Sequence, residues 1–331
     1  MTGDEPTPDR ILQLANGYWS TGILGVAASH ALFTHLEAGV DTAEGLAGRA
    51  GISQRGAEAL LDGLVALGLV ETRGGRYRNT AQASAFLVEG RPTSLTDFAR
   101  LKLEHADGLK ALPDVVRAGA PVNATVEVAD NPHWEKVVTA IAAQSVPVAT
   151  AAAGLLRLAQ AGPISILDIG GGPGVYSALW LALNPQARST QLDWAPINAI
   201  ARRRVAERGV ADRFSCVDGD LHTTDFGSAV HDIVIYSNIA HQEGPQENMA
   251  LFARIRGALK PGGTLVVSDF IVDDDRGGPP FALLFASEML LKSKHGSTWR
   301  RADFQAWLTK AGFEDIAFHP TPSPATLVLA R

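Results

Sequence analysis

One octapeptide, Leu167-Asp168-Ile169-Gly170-Gly171-Gly172-Pro173-Gly174, constrains this 331-residue chain more than any other feature. It overlaps the end of a short apolar run, ISILDIG (164–170), and leads into the helix-like VYSALWLAL. A strand, a glycine-rich turn and a helix, in that order, make the place where an α/β sheet receives a nucleotide-like ligand. The glycines permit the tight turn and a close backbone approach. The dinucleotide fingerprint GxGxxG fails here, because Val175 stands where its third glycine belongs. Asp168 places a carboxylate at the mouth of the turn, where it would repel a pyrophosphate. A ligand with a cationic amino acid portion and no phosphate suits it. S-adenosylmethionine is such a ligand.

The chain beyond the loop alternates strand-like and helix-like text. Strands are expected at STQLD (189–193), FSCVDGD (214–220), DIVIYSN (232–238) and TLVVSDFIV (264–272). Helices are expected at NAIARRRVAERG, around Asn248 to Leu259, and at DFQAWLTKAG (303–312). FEDIAFHP (313–320) and ATLVLAR (325–331) close the chain with no helix between them, which predicts an antiparallel hairpin at one edge. Alternation of this kind means a parallel sheet with helices on both faces. Asp193 ends the second strand, where an acid accepts both ribose hydroxyls. Asp220 ends the third, placed to receive an adenine amino group. Three acids at three successive strand ends form a cofactor constellation. Lys260-Pro261-Gly262-Gly263 is a helix exit and turn before the fifth strand.

The first hundred or so residues read differently. From Arg10, Leu12, Leu14, Ala15, Trp19, Ile23, Leu24, Val26 and Ala27 form a broad helical stripe closed by Gly39. Thr42 and Ser53 are helix N-caps, and Gly68 is a C-cap. VETRGGRYRNT reads as a hairpin around Gly74-Gly75. Helix, helix and small hairpin make a winged helix. Its recognition helix, from Ser53 to Leu67, carries one base, Arg55, against Glu58 and Asp62, and so lacks the cations that hold phosphates. The reading is a dimerisation module, with residues 1–110 as this domain and 111–331 as the catalytic one. From His133 to Leu158 one or two helices are expected, interrupted at Pro147.

Composition adds exclusions. Lys plus Arg is 29 and Asp plus Glu 35, a net charge of −6, which gives no footprint for nucleic acid or an anionic membrane. The single cysteine, Cys216, excludes an internal disulfide and a cysteine-built zinc site. No run of about 18 uninterrupted apolar residues predicts a membrane span, and the acidic start is not a secretory signal. A cytoplasmic location is expected.

These motifs resemble class I S-adenosylmethionine-dependent methyltransferases, and more closely the O-methyltransferase family with an N-terminal winged-helix dimerisation domain. The resemblance covers nearly the whole chain. It implies a Rossmann-like seven-stranded sheet, a homodimer and a small-molecule acceptor of natural-product type. It also implies cofactor contacts at Gly170, Asp193, Asp220, Leu221 and Ser237, to which the reading of the turn itself adds Asp168 and Gly172. In that family a histidine at the position of His241 is the general base that deprotonates a phenol, a task an imidazole suits.

The family's partner acid aligns near Thr298 here, and His295 stands where many relatives have no histidine. Two histidines converging on the acceptor side predict a metal ion, zinc or iron, held by His241 and His295. Glu243 is then a third ligand or a base. That pattern resembles a smaller branch, the metal-dependent C-methyltransferases acting on the β-carbon of 2-oxo acids, where the ion stabilises an enolate. Metal-assisted C-methylation is the favoured expectation, and O-methylation with His241 as base is the alternative. A ligand-sensing winged-helix regulator is a more remote one. Phe281, Phe285, Met289 and Trp299 are candidates for shaping the pocket or for core packing.

Overall fold

In the computed structural model, residues 6–126, 128 and 131–331 are described. The chain forms two compact units, Met1–Lys110 and Ala111–Arg331. In the first, helices Ala43–Ala50 and Gln54–Ala66 are capped as their sequences dictate. The Thr42 hydroxyl accepts from the Gly45 amide at 3.1 Å, and Ser53 from Gly56 at 3.0 Å. Strands β1 (Val70–Arg73) and β2 (Arg76–Asn79) pair antiparallel across Gly74 and Gly75, both at positive φ. The long apolar run is not one helix. It breaks into Asp9–Ala15, Tyr18–Ser29 and Leu32–Glu37, the last break falling at Ala31 in the left-handed region. Ala27, Leu32, Phe33, Leu36, Leu46, Leu61 and Leu64 build the unit's core. Ile11, Leu12, Leu14, Tyr18 and Trp19, from the same run, stay exposed in the single chain.

The second unit holds a seven-stranded sheet. Its strands are β3 (Ser165–Ile169), β4 (Arg188–Asp193), β5 (Phe214–Asp218), β6 (His231–Ser237), β7 (Leu259–Asp269), β8 (Ile316–Pro320) and β9 (Thr326–Ala330). Their spatial order is β5-β4-β3-β6-β7-β9-β8. The first five are parallel, while β9 runs antiparallel to β7 and β8 antiparallel to β9. The closing hairpin therefore sits at the edge with its last strand inserted inward. Sequence neighbours move outward from β3 to β4 and β5, then return to β6 on its other side. That reversal opens a crevice at the carboxyl ends of β3 and β6, the general location for ligands in open α/β sheets.

Helix His133–Leu155 runs unbroken through Pro147, against the expected interruption. Proline removes one ladder hydrogen bond, but Ala142, Val148, Ala149, Ala152 and Ala153 are buried around it, and their packing offsets the defect. By length and composition this helix is apolar enough to cross a membrane. Here it packs against Val175–Leu183, and the fully buried Trp180 donates its indole N–H to the Ala149 carbonyl at 2.9 Å. Trp180→Ala is expected to cost about 3–5 kcal/mol, the range for deleting a buried aromatic side chain. Urea denaturation followed by circular dichroism checks it, and Trp180→Phe should cost less.

Candidate active site

The glycine turn is built by contacts that exclude side chains. Gly170 has φ +61°, and a Cβ on it would come within 2.5 Å of the Ile239 side chain. A Cβ on Gly171 would stand 2.6 Å from Gln191 Oε1 and 2.7 Å from the Asp168 carboxyl carbon. Gly172, at φ +55°, donates its amide to Asp193 Oδ2 at 2.8 Å. The other Asp193 oxygen accepts from the Trp194 amide at 2.8 Å. Asp193 thus ends β4 as expected, and in the ligand-free chain its carboxylate already pins the turn.

Asp168, on β3, is 1% exposed. Its Oδ2 accepts from the Ser177 hydroxyl at 3.2 Å, and its buried Oδ1 has no partner among the described residues. Burial pushes its carboxyl up to about 7, and the charge of Asp193 adds to the rise. Burial likewise takes Asp193 to about 6, against the lowering pull of its two amide donors. A buried carboxylate oxygen without a donor is costly, so the chemistry left open beside the turn is a cation's.

Asp220 does not end a strand. Strand β5 stops at Asp218, in register with Asp193, because the Asp218 carboxylate and the Val217 carbonyl are both drawn to Asn198. Asp220 lies in the turn beyond it, exposed, with Oδ1 accepting from the His222 amide at 2.7 Å. Leu221 is half-buried against the core. Ser237 ends β6 and donates to the Tyr176 hydroxyl at 3.4 Å. The next residue, Asn238, holds φ +57° and has a buried side-chain oxygen without a partner among the described residues. Strain of that kind gathers at functional sites.

His241 is 5% exposed and follows β6 by four residues. Its Nδ1 lies 2.7 Å from Asp269 Oδ1, and its backbone amide donates to Asp269 Oδ2 at 3.1 Å. Asp269 ends β7 and is 1% exposed. The family's partner acid aligns near Thr298, but the acid at the imidazole is Asp269, which the sequence analysis does not single out. Its signal was present: TLVVSDF carries an acid at the end of a strand, as ISILD and STQLD do. An Nδ1–H donated to Asp269 leaves Nε2 as the base. Phe270 stacks on the imidazole at 5.7 Å between ring centres, Phe285 meets it edge-on at 5.1 Å, and Phe281 lies 4.8 Å from Phe270. Phe281 and Phe285 therefore line the histidine's surroundings, whereas Met289 is buried and Trp299 donates its indole N–H to the Ala240 carbonyl.

The three residues expected at a metal ion are not gathered into a ligand cluster among the described residues. Glu243 turns to His222, with Oε1 3.2 Å from Nε2, and burial raises its carboxyl. His295 is exposed, its Cβ 2.9 Å from where a Cβ on Gly244 would stand. Among the described residues no group of three His, Cys, Asp or Glu side chains is arranged to hold an ion. The loop after β6 and the segment 293–299 do meet, through Ser293 donating to the Gln242 carbonyl at 2.8 Å.

The fold and the glycine turn with its buried acid define a class I methyltransferase. Residues 123–314 match the O-methyltransferase domain family, and residues 12–89 match the O-methyltransferase dimerisation domain. The chain belongs to this family, and it is an S-adenosylmethionine-dependent methyltransferase. It is 32% identical to the 3-hydroxy-5-methyl-1-naphthoate 3-O-methyltransferase of Streptomyces sahachiroi, over 93% of this chain and 90% of that one. It is 31% identical to the tetracenomycin polyketide synthesis 8-O-methyl transferase of Streptomyces glaucescens, over 98% and 96%. Human N-acetylserotonin methyltransferase, solved in complex with S-adenosylmethionine, superposes with a TM-score of 0.86 at 25% identity, over 100% of this chain and 99% of that one. Carbon-detected NMR titration of the ligand-free protein is expected to find Asp168 titrating near 7 and Asp193 near 6.

Proposed function

We propose that this protein methylates a phenolic hydroxyl on a small, planar, natural-product acceptor, with His241 as general base and Asp269 as its positioning residue. The observation that carries this is the His241–Asp269 pair, 2.7 Å apart and buried beside the open ends of β6 and β7. Asp168, the turn at Gly170 to Gly172, Asp193, Asp220, Leu221 and Ser237 hold the cofactor. The unpartnered Asp168 oxygen and the cradle at Gly171 fit it, one offering an acceptor to its ammonium group and the other backbone without side chain. S-adenosylmethionine supplies a methyl group on a positively charged sulfur, which leaves as a neutral thioether when an oxygen nucleophile takes the methyl.

The chain's own part is a proton transfer and an orientation. His241 Nε2 accepts the phenol proton, which makes the oxygen nucleophilic. Asp269 holds the ring in one tautomer and stabilises the imidazolium until the proton passes to solvent. Phe270, Phe281 and Phe285 give a flat acceptor apolar faces to pack on, since aromatic pairs favour offset and edge-on arrangements. The two streptomycete relatives at 31–32% identity over more than nine-tenths of this chain are named as O-methyltransferases, which supports the same reading here. Metal-assisted C-methylation of a 2-oxo acid is set aside on the donor set: Glu243 is engaged by His222, and His295 is exposed beside Gly244.

The substitutions separate the two chemistries. His241→Ala is expected to lower kcat by roughly 10²–10⁴-fold, the usual worth of a general base, with S-adenosylmethionine affinity unchanged. Asp269→Asn lowers kcat in the same direction. His295→Ala and chelator treatment leave the rate near wild type. Loss of activity in His295→Ala together with loss of a bound ion would return the C-methylation reading.

The exposed Ile11, Leu12, Leu14, Tyr18 and Trp19 form an apolar strip on the dimerisation domain, and a second copy of the chain covers it in this reading. Replacing Leu14 and Trp19 together by Asp is expected to convert a dimer to a monomer in sedimentation velocity. A wild-type chain that sediments as a monomer at micromolar concentration would refute the assignment.

A further inference from the structure

Trp134 is the second residue of helix His133–Leu155, and no part of the activity described above uses it. Its ring packs edge-on against Trp194 with centres 5.9 Å apart. Trp194 directly follows Asp193 and donates its own amide to that carboxylate. One helical turn further along, Val138 faces the same region. Its Cγ1 lies 3.6 Å from where a Cβ on Gly172 would stand. Residues four apart share a helix face, so this helix lays Trp134 and Val138 over the end of β4 and the glycine turn.

The Trp134 indole N–H is buried and has no hydrogen-bond partner among the described residues. Indole nitrogen can only donate. A buried donor left unpaired carries its whole desolvation cost, and each such group in a native structure calls for an explanation. The fully buried indole of Trp180, in the same unit, donates to a carbonyl. The oxygens that a ligand brings to Asp193 and Gly172 are the natural acceptors for Trp134.

We propose that Trp134 is a cofactor-binding residue whose indole N–H donates to an oxygen of bound S-adenosylmethionine, in its ribose or its carboxylate. The helix thereby contributes a donor from outside the sheet and closes over the ligand at the β4 end. The proposal rests on the cofactor reading of Asp168 and Asp193.

Calorimetric titration of the full-length protein tests it with three probes: S-adenosylmethionine, S-adenosylhomocysteine, and 5′-methylthioadenosine, which keeps the ribose but lacks the amino acid. Trp134→Phe keeps an aromatic ring and removes the donor. It is expected to weaken S-adenosylmethionine and S-adenosylhomocysteine by roughly three- to tenfold. Methylthioadenosine weakened equally assigns the bond to the ribose, and methylthioadenosine unaffected assigns it to the carboxylate. The melting temperature of ligand-free Trp134→Phe should not fall, because the donor has no partner there. Unchanged affinity in Trp134→Phe overturns the proposal, even if Trp134→Ala binds weakly. A ligand-free melting temperature that falls in Trp134→Phe also overturns it, by showing that the donor serves the fold. Wild-type protein that binds none of the three probes overturns the cofactor reading itself, a result distinct from either.

Discussion

Gly172 donates its amide to Asp193 at 2.8 Å, and that bond closes the glycine turn of one strand onto the end of its neighbour. The turn can reach there because residues 170 to 172 carry no side chains where Ile239, Gln191 and Asp168 press in. With the turn held down, Asp168 stays buried behind it with one oxygen unpaired. The buried acid is thus a consequence of the turn's geometry, and its raised pKa a consequence of the burial. A carboxyl poised near neutrality is stabilised as an anion by an arriving cation, which is the chemistry the cofactor brings.

The second half of the site depends on a different constraint, the parallel pairing of β6 with β7. Ser237 sits opposite Ser268 in that register. Asp269 therefore comes level with the loop that leaves β6, and the Asn238 amide bonds the Ser268 carbonyl at 2.8 Å to fold that loop back. His241 then lands on Asp269 through both its amide and its imidazole. Two bonds to one buried carboxylate fix the ring's position and its tautomer together. The phenylalanines around it surround the base with apolar surface, and burial strengthens the pairing with Asp269.

Several features were readable in the residues. The turn, its acid, the alternation of strands and helices, the winged helix and the closing hairpin all depend on local sequence: glycines where φ is positive, caps at helix starts and apolar runs of strand length. Asp193 at the end of β4 follows from the same local grammar, whereas His241 after β6 follows from the resemblance to the methyltransferase family. Pro147 does not interrupt its helix, although local rules treat proline as a break, and the helical spacing of the N-terminal run does not show where that run divides. Packing of small alanines around the helix kept the first continuous, and Ala31 in a left-handed conformation divided the second.

The sequence alone determined that a sheet, a glycine turn and an acid would come together, because each is set by neighbours a few residues away. It could not determine the partner of His241. Asp269, Thr298, His295 and Glu243 were all acids, hydroxyls or imidazoles at plausible distances along the chain. Only the tertiary structure chose among them. Strand register brought Asp269 to the imidazole, Glu243 pairs with His222, and His295 lies exposed. Pairing across a sheet is fixed by hydrogen-bond register between segments distant in sequence, and no local spacing encodes it.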